Sequence, residues 1–222
     1  AGDLGLPTRG IADVEAVLDA VDAVTLVLRE ADPELTDRVD ATRLVLAAEA
    51  GADLDPEDHT DDDGLARDLS ELRLVKDAFE VAELRAAIAA TAAGFDDVIS
   101  DLPRIVAHPR GERLVEGVFN SRARADGNAV GYDTIAASGP HACILHWTRN
   151  EGPGAPGALI LLDAGVEVDS YYTADITRTF PIDGTFSETQ RLVYETVREA
   201  ADAAFAIVRP GIRFREIHAT AM

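Results

Sequence analysis

The stretch Leu159–Gly184, LILLDAGVEVDSYYTADITRTFPIDG, constrains the fold more than any other part of the chain. An aliphatic run, Leu159–Leu162, ends on Asp163, and a segment rich in β-branched and aromatic residues, Tyr171–Phe180, carries Asp175. Both halves predict strands. With a turn near Asp169, they predict an antiparallel pair in which Asp163 faces Asp175. Facing Cβ atoms lie about 4.5–5.5 Å apart, and two carboxylates at about 5 Å repel by about 3 kcal/mol at an effective dielectric near 20. A proton, an arginine or a cation relieves such a pair. Alternation places Arg178 on the opposite face and Thr173, Thr177 and Thr179 beside Asp175, so a divalent metal is the sharper expectation. Acids solvated on an ordinary hairpin are the alternative.

The flanking segments predict what carries this hairpin. Asp77-Ala78-Phe79-Glu80 has the form of a capping box. Beyond it Val81, Leu84, Ile88, Phe95, Val98 and Leu102 predict one helical face, ended by Pro103. A second helix is expected from Glu112 to Ala125, stopped by Gly127, with strands at Tyr132–Ala137 and Ala142–Trp147. A second capping box, Ser187-Glu188-Thr189-Gln190, opens a helix bearing Leu192, Val193, Val197, Ala204 and Val208, closed by Pro210-Gly211. This order suits an α+β layer with helices on one face of an antiparallel sheet. Residues 1–68 are less regular. Val24–Leu28 is expected as a strand, Val39–Ala50 as a helix or a strand plus a loop, and Asp61-Asp62-Asp63 as a solvated loop. They are read as the remainder of an amino-terminal α/β domain, and 69–222 as part of a second domain.

Charge narrows the function classes. A net charge of −21 argues against nucleic acid and anionic membrane surfaces as partners. Lys76 is the single lysine; an acidic, lysine-poor surface suits high salt and also follows from a GC-rich genome, and both origins stay open. Cys143 is alone, which removes a disulfide framework and a cysteine-based zinc site. No apolar run approaches the roughly 20 residues that span a bilayer, and no signal peptide is visible, so the cytoplasm is the expected location. The chain begins at Ala1 without an initiator Met and stops at Met222 soon after a helix start; both ends are read as cut.

His146 is the one suggestive histidine. It stands at the expected end of the apolar strand Ala142–Trp147, where a packing role is the simpler reading. His141 is expected to be exposed in its Gly-Pro loop, and His59, His108 and His218 are not taken as ligands. The segments GYDTIAASGPHACILHWTRN and LLDAGVEVDSYYTADITRTFPIDGTFSETQRLVYETV together resemble the first half of the catalytic domain of the Xaa-Pro aminopeptidases (aminopeptidase P), pita-bread metallopeptidases. SELRLVKDAFEVAELRAAIAATAAGF resembles the segment that leads into that domain. The similarity covers about residues 70–222.

The resemblance implies a metal-dependent aminopeptidase that releases the first residue from Xaa-Pro- peptides. It implies Asp163 as a ligand of one of two divalent ions, manganese above all, and Asp175 as a bridge between both. His146 would lie beside them, binding substrate or moving a proton. A peptide with proline second is the implied partner, and the assembly is expected to be a homo-oligomer. A further His and two Glu ligands of the family have no match in this sequence, so the chain is expected to be a fragment, inactive by itself. Asp163 to Asp175 is also one residue longer than in some members, which implies a bulge or longer turn. Prolidase is the alternative within the enzyme class. A non-catalytic pita-bread binding module, or a creatinase, would lack the acid pair.

Overall fold

A computed structural model of the chain describes residues 11–22 and 25–222. It divides into two compact units, Ala1–Lys76 and Asp77–Met222. Within the first, the α-helices among the described residues are α1 (Val14–Leu18), α2 (Pro33–Glu49) and α3 (Thr60–Leu74). Asp32 caps α2 by accepting from the Leu35 amide at 3.0 Å, and Pro33 follows it in the first turn, where its missing N–H costs nothing. Of the two readings of Val39–Ala50 the helix is formed, ending at Glu49 with Ala50 as its C-cap. Of the expected strand Val24–Leu28, Val24 lies outside the described residues, and 25–28 pair with no strand among the described residues.

The acidic run also departs from expectation. Asp61, Asp62 and Asp63 form the first turn of α3, where negative charge suits the helix dipole. Asp62 is buried, ion-paired to Arg43 at 2.8 Å and to Arg29 at 3.0 Å, and accepts from the Val27 amide. Its carboxyl is held far below the ordinary range, first by the Arg43 hydrogen bond, against the opposing effect of burial. A buried carboxylate with this many donors is a tertiary tie, not a solvated loop.

In the second unit, α4 (Ala78–Ser100) opens on the expected capping box, with Glu80 N donating to Asp77 at 2.8 Å and Asp77 N to Glu80 at 2.7 Å. The segment resembling the domain's approach is not one continuous helix, since α3 ends at Leu74 on an extended Val75. Helix α5 (Leu102–Val106) begins at the Pro103 break, and α6 (Gly111–Asp126) ends at Gly127. The buried face of α4 is Ala87, Thr91, Gly94, Phe95 and Val98, whereas Ile88 is exposed, which rotates the inward face away from part of the expected stripe.

Two small antiparallel sheets complete this unit. β1 (Ala129–Val130) pairs with β4 (Val166–Glu167); β2 (Ile135–Ser138), β3 (Leu159–Ala164) and β5 (Ile176–Pro181) form a sheet with β3 in the centre. Alternation along β3 is strict. Ile160, Leu162 and Ala164 are fully buried in one core with Val98, Ile105 and Phe119, and Leu159, Leu161 and Asp163 point to the other face. The larger of these buried side chains each contribute about 1.5–3 kcal/mol by burial, and Phe95 meets Phe119 edge-on at 6.0 Å. Helices therefore cover one face of the sheet and leave the face carrying Asp163 free of that core. The layered α+β architecture matches the expectation from the element order.

The expected strand Ala142–Trp147 is absent. Gly139–Cys143 is a 3-10 helix, and a turn follows in which Ile144 and Leu145 are exposed. Helix α7 (Glu188–Ala206) starts on the second capping box, and α8 (Phe214–Ala221) follows. Neither has a buried residue, and Leu192, Val193 and Val197 are all exposed. Among the described residues, no helix is long and apolar enough to cross a membrane.

Candidate metal centre

The register around Asp163 corrects the simple hairpin. Asp163 pairs with Thr177, not with Asp175, and the ladder runs from Leu159↔Pro181 to Ala164↔Ile176. A slip of two residues preserves the face, because side chains alternate with a period of two. Its cause lies in residues 165–175. Val166 leaves the sheet to pair with Val130, Glu167 bridges Thr173, and the chain reverses through Tyr171 at φ 68°. This turn brings Asp175 to the sheet just before β5 begins.

Gly165 makes the approach possible. A Cβ at this position would lie 1.6 Å from the carbonyl oxygen of Ala174 and 3.1 Å from the ring of Tyr132. Only a glycine lets the segment carrying Asp175 pass so close to the end of β3. The Ala174 amide donates to Val166 O, and the Gly131 amide to Gly165 O at 2.9 Å, which brings the segment bearing Tyr132 to the same place.

The result is a pair of carboxylates joined by one phenol. The Tyr132 hydroxyl lies 2.7 Å from Asp163 Oδ1 and 3.0 Å from Asp175 Oδ1, so these oxygens are at most 5.7 Å apart, the sum of the two. One proton is shared between two acceptors. Thr177 donates its hydroxyl to Asp163 Oδ2. Burial, and then the two carboxylates, push the Tyr132 hydroxyl far above its ordinary pKa, so it stays a donor through the neutral range. Arg178 is exposed and donates to the Thr177 carbonyl rather than bridging the acids, as alternation predicts.

These donors fit a hard divalent cation in kind: two carboxylates and neighbouring hydroxyl oxygens, with no sulfur. In number they are incomplete. Among the described residues, no group of three or more His, Cys, Asp or Glu side chains converges to hold a metal ion. His146 is exposed, at φ 53° in the left-handed region, on a turn rather than at a strand end. No hydrogen bond or ion pair among the described residues joins it to Asp163 or Asp175. Sequence reasoning missed Tyr132, read only as the start of a strand; its neighbour Gly131, which a strand tolerates poorly, was the available signal.

The second unit is thus a one-sided α+β layer with a carboxylate pair on its uncovered face. The profile of metallopeptidase family M24 matches residues 82–222, and the chain belongs to that family. Xaa-Pro aminopeptidase 2 of Streptomyces coelicolor is 50% identical over 219 residues, covering 98% of this chain and 43% of the relative. Xaa-Pro aminopeptidase 1 of the same organism is 48% identical over 223 residues, covering 98% and 41%. The chain thus spans less than half the length of these curated relatives. Among solved structures, a variant of Escherichia coli aminopeptidase P in complex with substrate superposes with a TM-score of 0.62 at 35% identity, over 68% of this chain and 33% of that one.

Proposed function

We propose that this chain supplies part of the active centre of an Xaa-Pro aminopeptidase, with Asp163 and Asp175 as metal ligands and His146 as the group that contacts substrate or moves a proton. The observation that carries the reading is the single Tyr132 hydroxyl shared by two carboxylates on one uncovered sheet face. Family membership and the names of the relatives support it, and favour aminopeptidase over prolidase. A pair of divalent ions, when bound, would lower the pKa of a shared water and polarise the scissile carbonyl.

The protein's own part is orientation. Tyr132 holds one oxygen of each acid, and Thr177 holds the second oxygen of Asp163, so Asp163 is oriented at both oxygens and Asp175 at one. Hydrogen-bonded partners of this kind orient ligands and raise affinity. The exposed His146 ring is free to meet a peptide. Oxygen-rich ligation suits manganese, the ion we propose. A peptide with proline second, a cytoplasmic location and a homo-oligomeric assembly complete the proposal.

The test is hydrolysis of a peptide with proline second, with manganese present. The 222-residue chain alone is expected to be inactive, since two carboxylates do not fill two coordination spheres. In a protein of the relatives' length that carries this sequence, Asp175→Asn is expected to abolish release of the first residue. His146→Ala is expected to lower turnover about 10²–10⁴-fold with metal content retained. Near-normal turnover in the Asp175→Asn protein would overturn the assignment.

A further inference from the structure

The most heavily bonded carboxylate of the second unit is not in the metal centre. Glu112, in the first turn of α6, is fully buried. Its Oε1 lies 2.8 Å from the Ser138 amide and 2.7 Å from His141 Nδ1; its Oε2 lies 3.0 Å from Trp147 Nε1 and 2.7 Å from the Gly152 amide. Three obligatory N–H donors, from Ser138, Trp147 and Gly152, favour the ionised form of this carboxylate. Facing an acceptor, His141 Nδ1 carries a hydrogen. The Glu112 amide in turn donates to Gly152 O at 3.1 Å, which closes a reciprocal clamp. The packing there is tight: a Cβ on Gly152 would meet the His141 ring at 2.8 Å and Glu112 Cδ at 2.9 Å.

All four donors belong to the segment that carries His146. Ser138 and His141 precede it; Trp147 and Gly152 follow. Trp147 is buried, stacked on His141 at 3.9 Å, and directly adjoins His146 in the chain. A second tie reinforces the first. Buried Asn150, also left-handed at φ 47°, accepts from the Ala136 amide at 3.0 Å and donates to Thr134 O at 2.8 Å. Left-handed backbone in a non-glycine residue costs free energy and persists only where the surroundings over-determine it. Here the exposed apex Ile144-Leu145-His146 stands between anchored flanks.

We propose that Glu112 is the positioning residue of His146: its carboxylate, bonded to both flanks of the 138–152 segment, fixes the turn on which the His146 ring is presented. The inference rests on the proposed function for the use made of His146, but the positioning itself is measurable without turnover. An isosteric Gln keeps the shape of Glu112 yet turns an NH₂ group towards one pair of its partners, so at least one of the Ser138, Trp147 and Gly152 N–H bonds is replaced by a contact between donors.

The test compares the wild-type chain with Glu112→Gln and with the milder Trp147→Phe, which deletes one donor. In the Glu112→Gln chain, far-UV circular dichroism is expected to be unchanged. Amides of residues 141–152 should exchange at least tenfold faster while those of α4 keep their protection. The His146 ring and amide NMR signals should move towards those of an unstructured peptide, with Trp147→Phe moving them less in the same direction. Unchanged His146 signals in a folded Glu112→Gln chain would overturn the proposal, as would equal acceleration of exchange in α4 and the loop. Should Glu112→Gln not fold, the same two readouts on Trp147→Phe decide. Manganese binding separates the two claims. It is expected to be unchanged within twofold by Glu112→Gln, and wild-type binding indifferent to Asp175→Asn would sink the proposed function while the loop readouts still decide the role of Glu112.

Discussion

Tyr132 does at the residue scale what the bare acid pair cannot do alone. Its hydroxyl lies between two oxygens that would otherwise repel, and its proton stays in place because burial and both carboxylates oppose ionisation. Tyr132→Phe keeps the ring and removes the hydroxyl. Metal affinity should fall about tenfold, and the metal-free chain should lose about 1–2 kcal/mol of stability, read by calorimetric titration and urea unfolding. An unchanged urea midpoint would show that the shared bond contributes nothing. Glu112 gives a pH signature of its own. Burial pushes its carboxyl up, but the Ser138, Trp147, His141 and Gly152 bonds together outweigh this and leave it below the ordinary value. A depressed folded pKa stabilises at every pH above the unfolded value, about 4.3, and that stability drains away as pH falls through the folded one. Exchange protection of the 138–152 segment should therefore hold at pH 6 and be lost only in acid below the ordinary carboxylate range. Loss near pH 6 would contradict this.

Elements were legible in the sequence wherever their signals are local. Both capping boxes and the Pro103 break needed no partner beyond a few residues, and the structure has them as read. The strand register was not legible, because it is set by the 165–175 excursion and by the partner of β4, which is β1 some 37 residues away. The apolar run Ala142–Trp147 reads as a strand from composition, yet Glu112 pulls Trp147 and His141 together and turns the backbone between them. Asp62 read as solvated for the same reason, since its partners Arg29 and Arg43 are distant in sequence. The approach of Asp163 to Asp175 was legible in the sequence, and the phenol that joins them was not. Gly165 is where element and site meet. Gly165→Ala would drive a methyl into the Ala174 carbonyl, and the local backbone must shift to admit it. A loss of about 3 kcal/mol or more is expected, measured by thermal unfolding. A variant as stable as wild type would mean that the close approach is not required.

Across the whole molecule, the charge of −21 is unbalanced. Self-repulsion of this kind weakens the compact state, and salt screens it as the Debye length falls from about 10 Å at 0.1 M to about 3 Å at 1 M. Stability to urea should rise by on the order of 1 kcal/mol between these salt concentrations; a fall would place the acids in favourable pairs instead. The same charge attracts divalent ions without specificity, so the central claim is best measured in high monovalent salt. Manganese binding to the 222-residue chain, followed by the electron paramagnetic resonance signal of free Mn²⁺, is the most direct measurement. A single weak site, with a dissociation constant on the order of a millimolar, is predicted for the wild type and should be lost in both Asp163→Asn and Asp175→Asn. Equal binding by wild type and both variants would show that the two aspartates do not form a metal site.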